Sequence, residues 1–491
     1  MRTVALSIAL ALVAAGCGAT ADRERSSATT STLRATWVDR NGDGTLERRP
    51  GRRMVARTDL ARAAHPGRTL ATLAFVTDVH VRDAESPARA GLLDRLGPPF
   101  NSTFRPQEAL SAQVLAGAVR AIDAARPQAV VEGGDLIDND EADELDRALH
   151  VLHGGSVRPD SGAHGYEGPQ AAADPDPGFY RPGVDAPRHP DMLRRAVAPL
   201  DSPGLRAPWF PVVGNHDVLV QGVVPPSTAL ERLAVGDRRL VEPDRGQLRA
   251  ARRLGDDPTA AVATLLRGGL PGRTSRIAPD PGRRLLRPGE LVDRLRASSA
   301  APDRGGSRLD YTFDVDPSVR GIVLDGIRRD ADTFVLTPAQ LGWLARALRA
   351  AGRRWVLVFS HTPLDRTPSG RAALALLDRH PHVVAALAGD THHNQIAPRR
   401  TRAGGYWLIT TGSLADWPMQ SRMLRLVQTK RGVALETWMV DTAGGPHSLP
   451  GIARQLAYLD AQGGRPNGFA GAPGDRNAML YLDKNAFNPG P

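Results

Sequence analysis

Five times between residues 70 and 394, a short apolar run breaks off into a cluster of aspartate, asparagine or histidine. The runs cover residues 70–77, 129–131, 209–213, 355–359 and 383–388. Each is short and mostly apolar, as a buried strand would be. Residues 106–125, 338–350 and 370–379 carry apolar side chains at helical spacing, and 321–324 reads as a further strand. Runs at 406–410, 423–427 and 434–440 read as a closing set of mostly antiparallel strands. Such alternation argues for an α/β chain whose sheets are covered by helices.

The polar clusters are Asp78-Val79-His80, Gly133-Gly134-Asp135-Leu136-Ile137-Asp138, Gly214-Asn215-His216-Asp217, Ser360-His361 and Gly389-Asp390-Thr391-His392-His393-Asn394. In an extended segment, residues two apart share a face, so Asp78 and His80 can grip one cation. The glycines before Asp135 let the chain turn closely and leave its carboxylate free to bridge two ions. Open α/β sheets build sites at the carboxyl ends of their strands. Taken singly these motifs are commonplace. An Asp-x-His or Gly-Asp is usually a turn or a satisfied polar pair, and Asn-His-Asp can cap a helix. The ordered set of five is far more specific.

Together the motifs resemble the calcineurin-like metallophosphoesterases, the broad family that includes purple acid phosphatases and glycerophosphodiesterases. The resemblance spans about residues 70–440, two insertions excepted. It implies a four-layer α/β/β/α sandwich with two facing mixed sheets and loop-rich insertions. It implies that Asp78, His80 and His392 hold one metal, that Asp135 bridges, and that Asn215 and His361 hold a second. Mixed nitrogen and oxygen donors suit iron, manganese or zinc. Two such ions can clamp a phosphoryl group and activate a bridging hydroxide for in-line attack. His216 would donate to the phosphate or protonate the leaving oxygen, with Asp138 or Asp217 orienting its ring.

One departure matters. The family pattern Gly-His-x-His is replaced here by Gly389-Asp390-Thr391-His392. Asp390 is then a carboxylate ligand that favours Mn²⁺, Mg²⁺ or iron over zinc, or His393 takes the ligand's place with Asp390 behind it, or the second site is weak. Retained spacing to His392 favours the first. Arg82 continues the alternation 78, 80, 82 and is either a phosphate-binding residue or a solvated surface arginine. Residues 411–418, with Asp416, resemble a substrate-side loop of some exported bacterial relatives and equally read as a packed turn around Trp417.

A formal charge of +10 and a pI near 10.5 raise the question of nucleic acid. The positive charge is almost all arginine scattered along the chain, with only Lys430 and Lys484 as lysines, and no basic run is interleaved with aromatics. That pattern reads as GC-rich coding bias, and nucleic acid is not expected as the main partner. The sole cysteine, Cys17, ends Val13-Ala14-Ala15-Gly16 after an apolar stretch led by Arg2. This resembles a bacterial lipobox. The expectation is a signal peptide over 1–17, an acylated Cys17 and a tether over 18–35. Cleavage after Ala21 is the alternative, and export follows either way: lipid-anchored outside the bacterial cytoplasmic membrane, or secreted. The membrane is then a partner only through that anchor.

The catalytic domain is expected over 36–445, with insertions at 154–190 and 222–307 forming a lid and a C-terminal tail over 446–491 that carries a helix near 452–462. Asp39–Gly44 begins like a calcium loop but has Pro50 at its twelfth position, so a tight turn is expected. The expected function is hydrolysis of phosphate mono- or diesters, with a small phosphate ester as substrate. Its rivals are an exported nuclease or nucleotidase, and a lipoprotein that binds ligand without turnover.

Overall fold

The five apolar runs become parallel strands of two facing sheets. The computed structural model describes residues 30–89, 95–96, 104–174, 178–255, 257–303, 305–462 and 468–484. In chain order the sheet strands are β1 (Val55–Arg57), β2 (Pro66–Val76), β3 (Ala129–Glu132), β4 (Trp209–Pro211), β5 (Tyr311–Asp316), β6 (Val319–Leu324), β7 (Trp355–Ser360), β8 (Val383–Ala388), β9 (Gln395–Arg399), β10 (Tyr406–Thr410), β11 (Gln420–Thr429), β12 (Gly432–Asp441) and β13 (Ala478–Asp483). The first sheet has the order β1-β13-β12-β11-β2-β3-β4, and the second β5-β6-β7-β8-β10-β9. Both are mixed. β2, β3 and β4 run parallel in the first, as do β6, β7, β8 and β10 in the second.

The sheets meet through aromatic residues. Phe210 of β4 stacks on Phe313 of β5 at 3.9 Å between centroids, and Phe75 of β2 lies 5.9 Å from Phe359 of β7. Helices α1 (Ser111–Ala125) and α2 (Ala142–His153), with the late helix Leu449–Gln462, cover the first sheet, and Pro338–Ala351 and Pro368–Leu377 form the layer on the second. The result is the four-layer α/β/β/α order. Helix Pro338–Ala351 starts cleanly because Thr337 and Gln340 form a reciprocal capping box, with Pro338 at a position that needs no N–H donor.

The structure extends the reading in three places. The tail is not peripheral: β13 pairs with β12 on one side and β1 on the other, with Ala478, Leu480 and Leu482 buried at every second position. That alternation is short and isolated among loop-forming residues, which hid it. The insertion at 222–307 holds more than helical fragments. Its strands Arg238–Pro243 and Gly272–Arg276 pair antiparallel, and Leu230, Leu233, Leu240, Val262 and Leu265 form a satellite core. Asp39–Gly44 is a turn between two short strands, and the Asp39 carboxylate accepts from the N–H groups of Gly42 and Gly44. Cys17, the signal peptide and most of the tether lie outside the described residues. No helix among the described residues is long and apolar enough to cross a membrane.

Candidate metal centre

Five carboxyl-terminal strand ends, three from the first sheet and two from the second, converge on one edge of the sandwich. β2 delivers Asp78 and His80, β3 delivers Asp135, β4 leads to Asn215, β7 to His361, and β8 to Asp390 and His392. The β2–β3 ladder continues beyond the strands, with Asp78 N–H donating to Gly134 O (3.0 Å) and His80 N–H to Asp135 O (2.9 Å). Asp217 locks the neighbouring loop to it. Its carboxylate accepts from Gly214 N–H at 2.8 Å, Asp135 N–H at 3.0 Å and Ile137 N–H at 3.0 Å.

The local backbone differs from the extended geometry expected for Asp78 and His80. Among the described residues nine non-glycine residues have positive φ, and five of them are the expected ligands Asp78, His80, Asp135, Asp390 and His392, at φ between 49° and 66°. Left-handed backbone costs a residue with a Cβ about 1–2 kcal/mol, so its concentration here marks a site whose geometry is imposed by its surroundings. The Asp78 and His80 side chains converge through this turn, not through strand alternation. Close packing adds to the constraint: a Cβ on Gly214 would stand 2.1 Å from Asp135 Oδ1, and one on Gly222 (φ +73°) 2.3 Å from His216 Nε2.

Three histidines are prepared in the same way. His80 Nδ1 pairs with Asp138 Oδ1 at 2.8 Å, His361 Nδ1 with Gly133 O at 2.9 Å, and His392 Nδ1 with an Asp416 carboxylate oxygen. Each Nδ1–H therefore has an acceptor, which leaves each Nε2 lone pair for a cation. Those nitrogens face carboxylates. His392 Nε2 is 3.3 Å from His80 Nε2 and 3.3 Å from Asp78 Oδ1, and His361 Nε2 is 3.2 Å from Asp135 Oδ2. Ligands at 2.0–2.1 Å around a tetrahedral ion stand about 3.4 Å apart. Asp135 Oδ2 also lies 3.7 Å from His80 Nε2, between the two histidine groups. Asp78, His80 and His392 form one possible ligand set, and Asp78, Asp135 and His361 another.

A test of fit comes from atoms left unsatisfied. His361 Nε2 and Asn215 Oδ1 are buried and have no hydrogen-bond partner among the described residues, while the Asn215 amide donates to Gly222 O. Buried polar atoms without partners are rare, and both belong to the expected second-metal set. Asp390 Oδ1 stands 3.7 Å from His361 Nε2. The His393 ring is instead packed edge-on against Phe469, 4.6 Å between centroids, with Nδ1 bonded to Thr391 O. Of the two candidates, Asp390 is the one at the site.

His216 lies edge-on to His80, 4.5 Å between centroids, with Nδ1 3.1 Å from Asp138 Oδ1. Asp138 thus orients both rings. Asp217 does not orient His216, because its oxygens are taken by backbone donors. Two further expectations are corrected. Arg82 is neither a phosphate ligand nor solvated: its guanidinium is buried, donating to Glu108 Oε2 at 2.7 Å and to His80 O at 2.9 Å. Asp416 is buried between Arg105 and His392, so it positions the His392 ring instead of facing a substrate. Its loop packs beneath the site, where Ser413 donates to Asp78 O and the half-buried Trp417 meets Tyr458 edge-on.

Four contributors were absent from the sequence reading. Glu108, Arg89 and Arg105 form the buried ionic support behind Asp138 and Asp416. Asp332, exposed on a short hairpin closed by Ile327 and Phe334, is pushed up to about 6 by desolvation and by Asp390. Asp135 raises that carboxyl further, while His216 and His361 lower it.

Burial opposes a charge on His392, but Asp78 and Asp416 outweigh it and raise the ring to about 10. Burial likewise opposes ionisation of Asp135, and His361, His216 and His80 overcome it to hold the carboxyl below its usual range. The raised His392 value means that its ion pairing stabilises the metal-free fold fully below pH ~6.5 and is lost as pH rises through about 10. A cation must displace that proton. Apparent metal affinity is therefore expected to rise between pH 6 and 9, as measured by competition with a chelator. Asp416→Asn should weaken metal retention roughly 10–100-fold, read as metal content after dialysis.

No family model matches the sequence, and no curated protein matches it. Solved structures similar to the chain include a dimetal phosphatase from Danio rerio, at 16% identity over 77% of this chain and 98% of that one, TM-score 0.38. Others are the Thermus thermophilus sulfate thiohydrolase SoxB in complex with glycerol (15% identity, 82% and 61% covered, TM-score 0.31) and PhoD (10% identity, 84% and 80% covered, TM-score 0.29). At such scores the chemistry of this chain rests on its own side chains.

Proposed function

We propose that the chain is a metal-dependent phosphoesterase of the calcineurin-like kind with a dinuclear centre. The observation that carries this reading is the convergence of three Nε2 atoms, each freed by an acceptor on Nδ1, around carboxylates of Asp78 and Asp135. Asp78, His80 and His392 would hold one cation, and Asn215, His361 and Asp390 the other, with Asp135 between them. Bound cations supply Lewis acidity to the phosphoryl group and to the attacking water. His216, fixed by Asp138, is placed to donate a proton to a phosphate oxygen or to the leaving group. Burial opposes its protonation, but Asp135 and Asp138 raise its basicity above the ordinary value, which favours the donor form.

Asp332 adds an exposed carboxylate whose charge interacts with Asp390. A dianionic monoester is repelled more than a monoanionic diester, so the diester is the preferred substrate in this reading. The chain is exported in the same reading, with Cys17 as its lipid attachment point.

The test is reconstitution of metal-stripped protein with Mn²⁺, iron or Zn²⁺, followed by assay on p-nitrophenyl phosphate and bis-p-nitrophenyl phosphate. Two equivalents of metal with turnover, faster on the diester, are expected. A protein that takes up no metal and turns over neither ester overturns the reading.

A further inference from the structure

A second group of acids lies beside the centre, where both insertions meet the core. Asp83 and Glu85 follow the β2 loop, and Glu141, Asp143 and Glu144 open α2. Arg283 reaches in from the second insertion and Ser161 from the first. Facing these five carboxylates are two guanidinium groups: Arg283 Nε is 2.9 Å from Asp83 Oδ2, and Arg147 Nη2 is 2.6 Å from Asp143 Oδ2 and 3.5 Å from Asp83 Oδ2.

The carboxylates are not equally served. Glu144 accepts from the backbone N–H groups of Asp83, Asp138 and Asn139 and from the Asn139 amide. Glu85 accepts from Glu167 N–H and the Ser161 hydroxyl. Glu141, fully buried, has only the Ser86 hydroxyl on Oε1 at 2.6 Å, and its Oε2 has no partner among the described residues. The amino end of α2 favours negative charge but supplies no donor to that atom. One ligand atom from each of Asp83, Glu141 and Asp143 lies within 4.8 Å of the others.

We propose that Asp83, Glu141 and Asp143 form a structural site for a hard divalent cation, calcium above all, separate from the catalytic pair, which clamps both insertions onto the core. An all-oxygen set without histidine or sulfur selects calcium-like ions over zinc. Four buried carboxylates and the half-buried Asp143 against two arginines leave an excess of negative charge, and buried charge persists when it is paired or binds metal. Burial, then Glu144, Asp143 and Asp83, drive the Glu141 carboxyl well up, while Arg147 and Arg283 hold Asp83 ionised against its own burial. The ion would tie the α2 start to Asp83, which Arg283 already links to the second insertion and, through Ser161, to the first.

The inference does not depend on phosphoesterase activity, and its test reads calcium directly. Full-length protein carrying its transition metals is equilibrated with about 1 mM Ca²⁺, an occupancy range suited to extracellular-type sites, and its calcium content is measured. One calcium per chain is expected, with slower tryptic cleavage of the arginine-rich residues 222–307 when calcium is present. Glu141→Gln should lose the calcium and the protection while keeping the transition metals. Asp143→Asn decides by the same measurements if Glu141→Gln does not fold. A wild-type protein without calcium, or variants that retain it, overturns the site and leaves Glu141 a buried neutral acid.

Discussion

Asp135→Asn is expected to lower kcat/KM for a phosphodiester by at least roughly a thousandfold, and to reduce bound transition metal from two equivalents toward one. Removing a single preorganised charge-stabilising group costs roughly 10²–10³, and Asp135 would serve two ions at once in the proposed centre. Its Oδ2 stands 3.2 Å from His361 Nε2 and 3.7 Å from His80 Nε2. Its Oδ1 accepts from His216 N–H at 2.9 Å, so the same carboxylate also places the proton donor. Asparagine keeps the shape and one oxygen but removes the charge that compensates two cations. Metal analysis beside the kinetics separates the causes. A variant with both metals and unchanged kcat/KM would remove Asp135 from the centre.

Arg82→Met should lower stability by about 3–5 kcal/mol, with little change in KM among molecules that stay folded. Glu108, fully buried, is held by Arg82 on one oxygen and Arg89 on the other. Burial opposes its ionisation, and Arg82 and Arg89 outweigh that to keep the carboxyl below its ordinary range. Losing one arginine leaves a buried carboxylate half compensated, and loosens Asp138, which Arg82 Nη2 approaches at 3.7 Å. Chemical denaturation reads the stability and ester kinetics the affinity. Wild-type stability with a raised KM would return Arg82 to the substrate.

The candidate ligands were legible because each follows an apolar strand directly in the sequence. Asp78, Asp135, His361 and His392 needed only the strand ends to be recognised. What could not be read was the backbone between them. Left-handed φ at an aspartate or histidine leaves no mark in composition, so alternation offered Arg82 only as a phosphate binder or a solvated arginine, and it is neither. Nor could the supporting charges be read. Glu108 sits in a single 3-10 turn before α1 and Arg105 beside it, and only tertiary packing brings them to Asp138 and Asp416. Asp217 looked like a partner for its neighbour His216, yet its oxygens were claimed by a loop some eighty positions away, between Asp135 and Ile137.

The seating of β13 between β1 and β12 bears on how the molecule is made. The first sheet spans residues 55 to 483, so a growing chain has no complete sheet until residue 483 has left the ribosome. Contacts between segments so far apart in sequence form slowly, and partly assembled sheets offer open edges in the meantime. A chain stopped before residue 478 should therefore emerge with its β12 edge bare and prone to self-association.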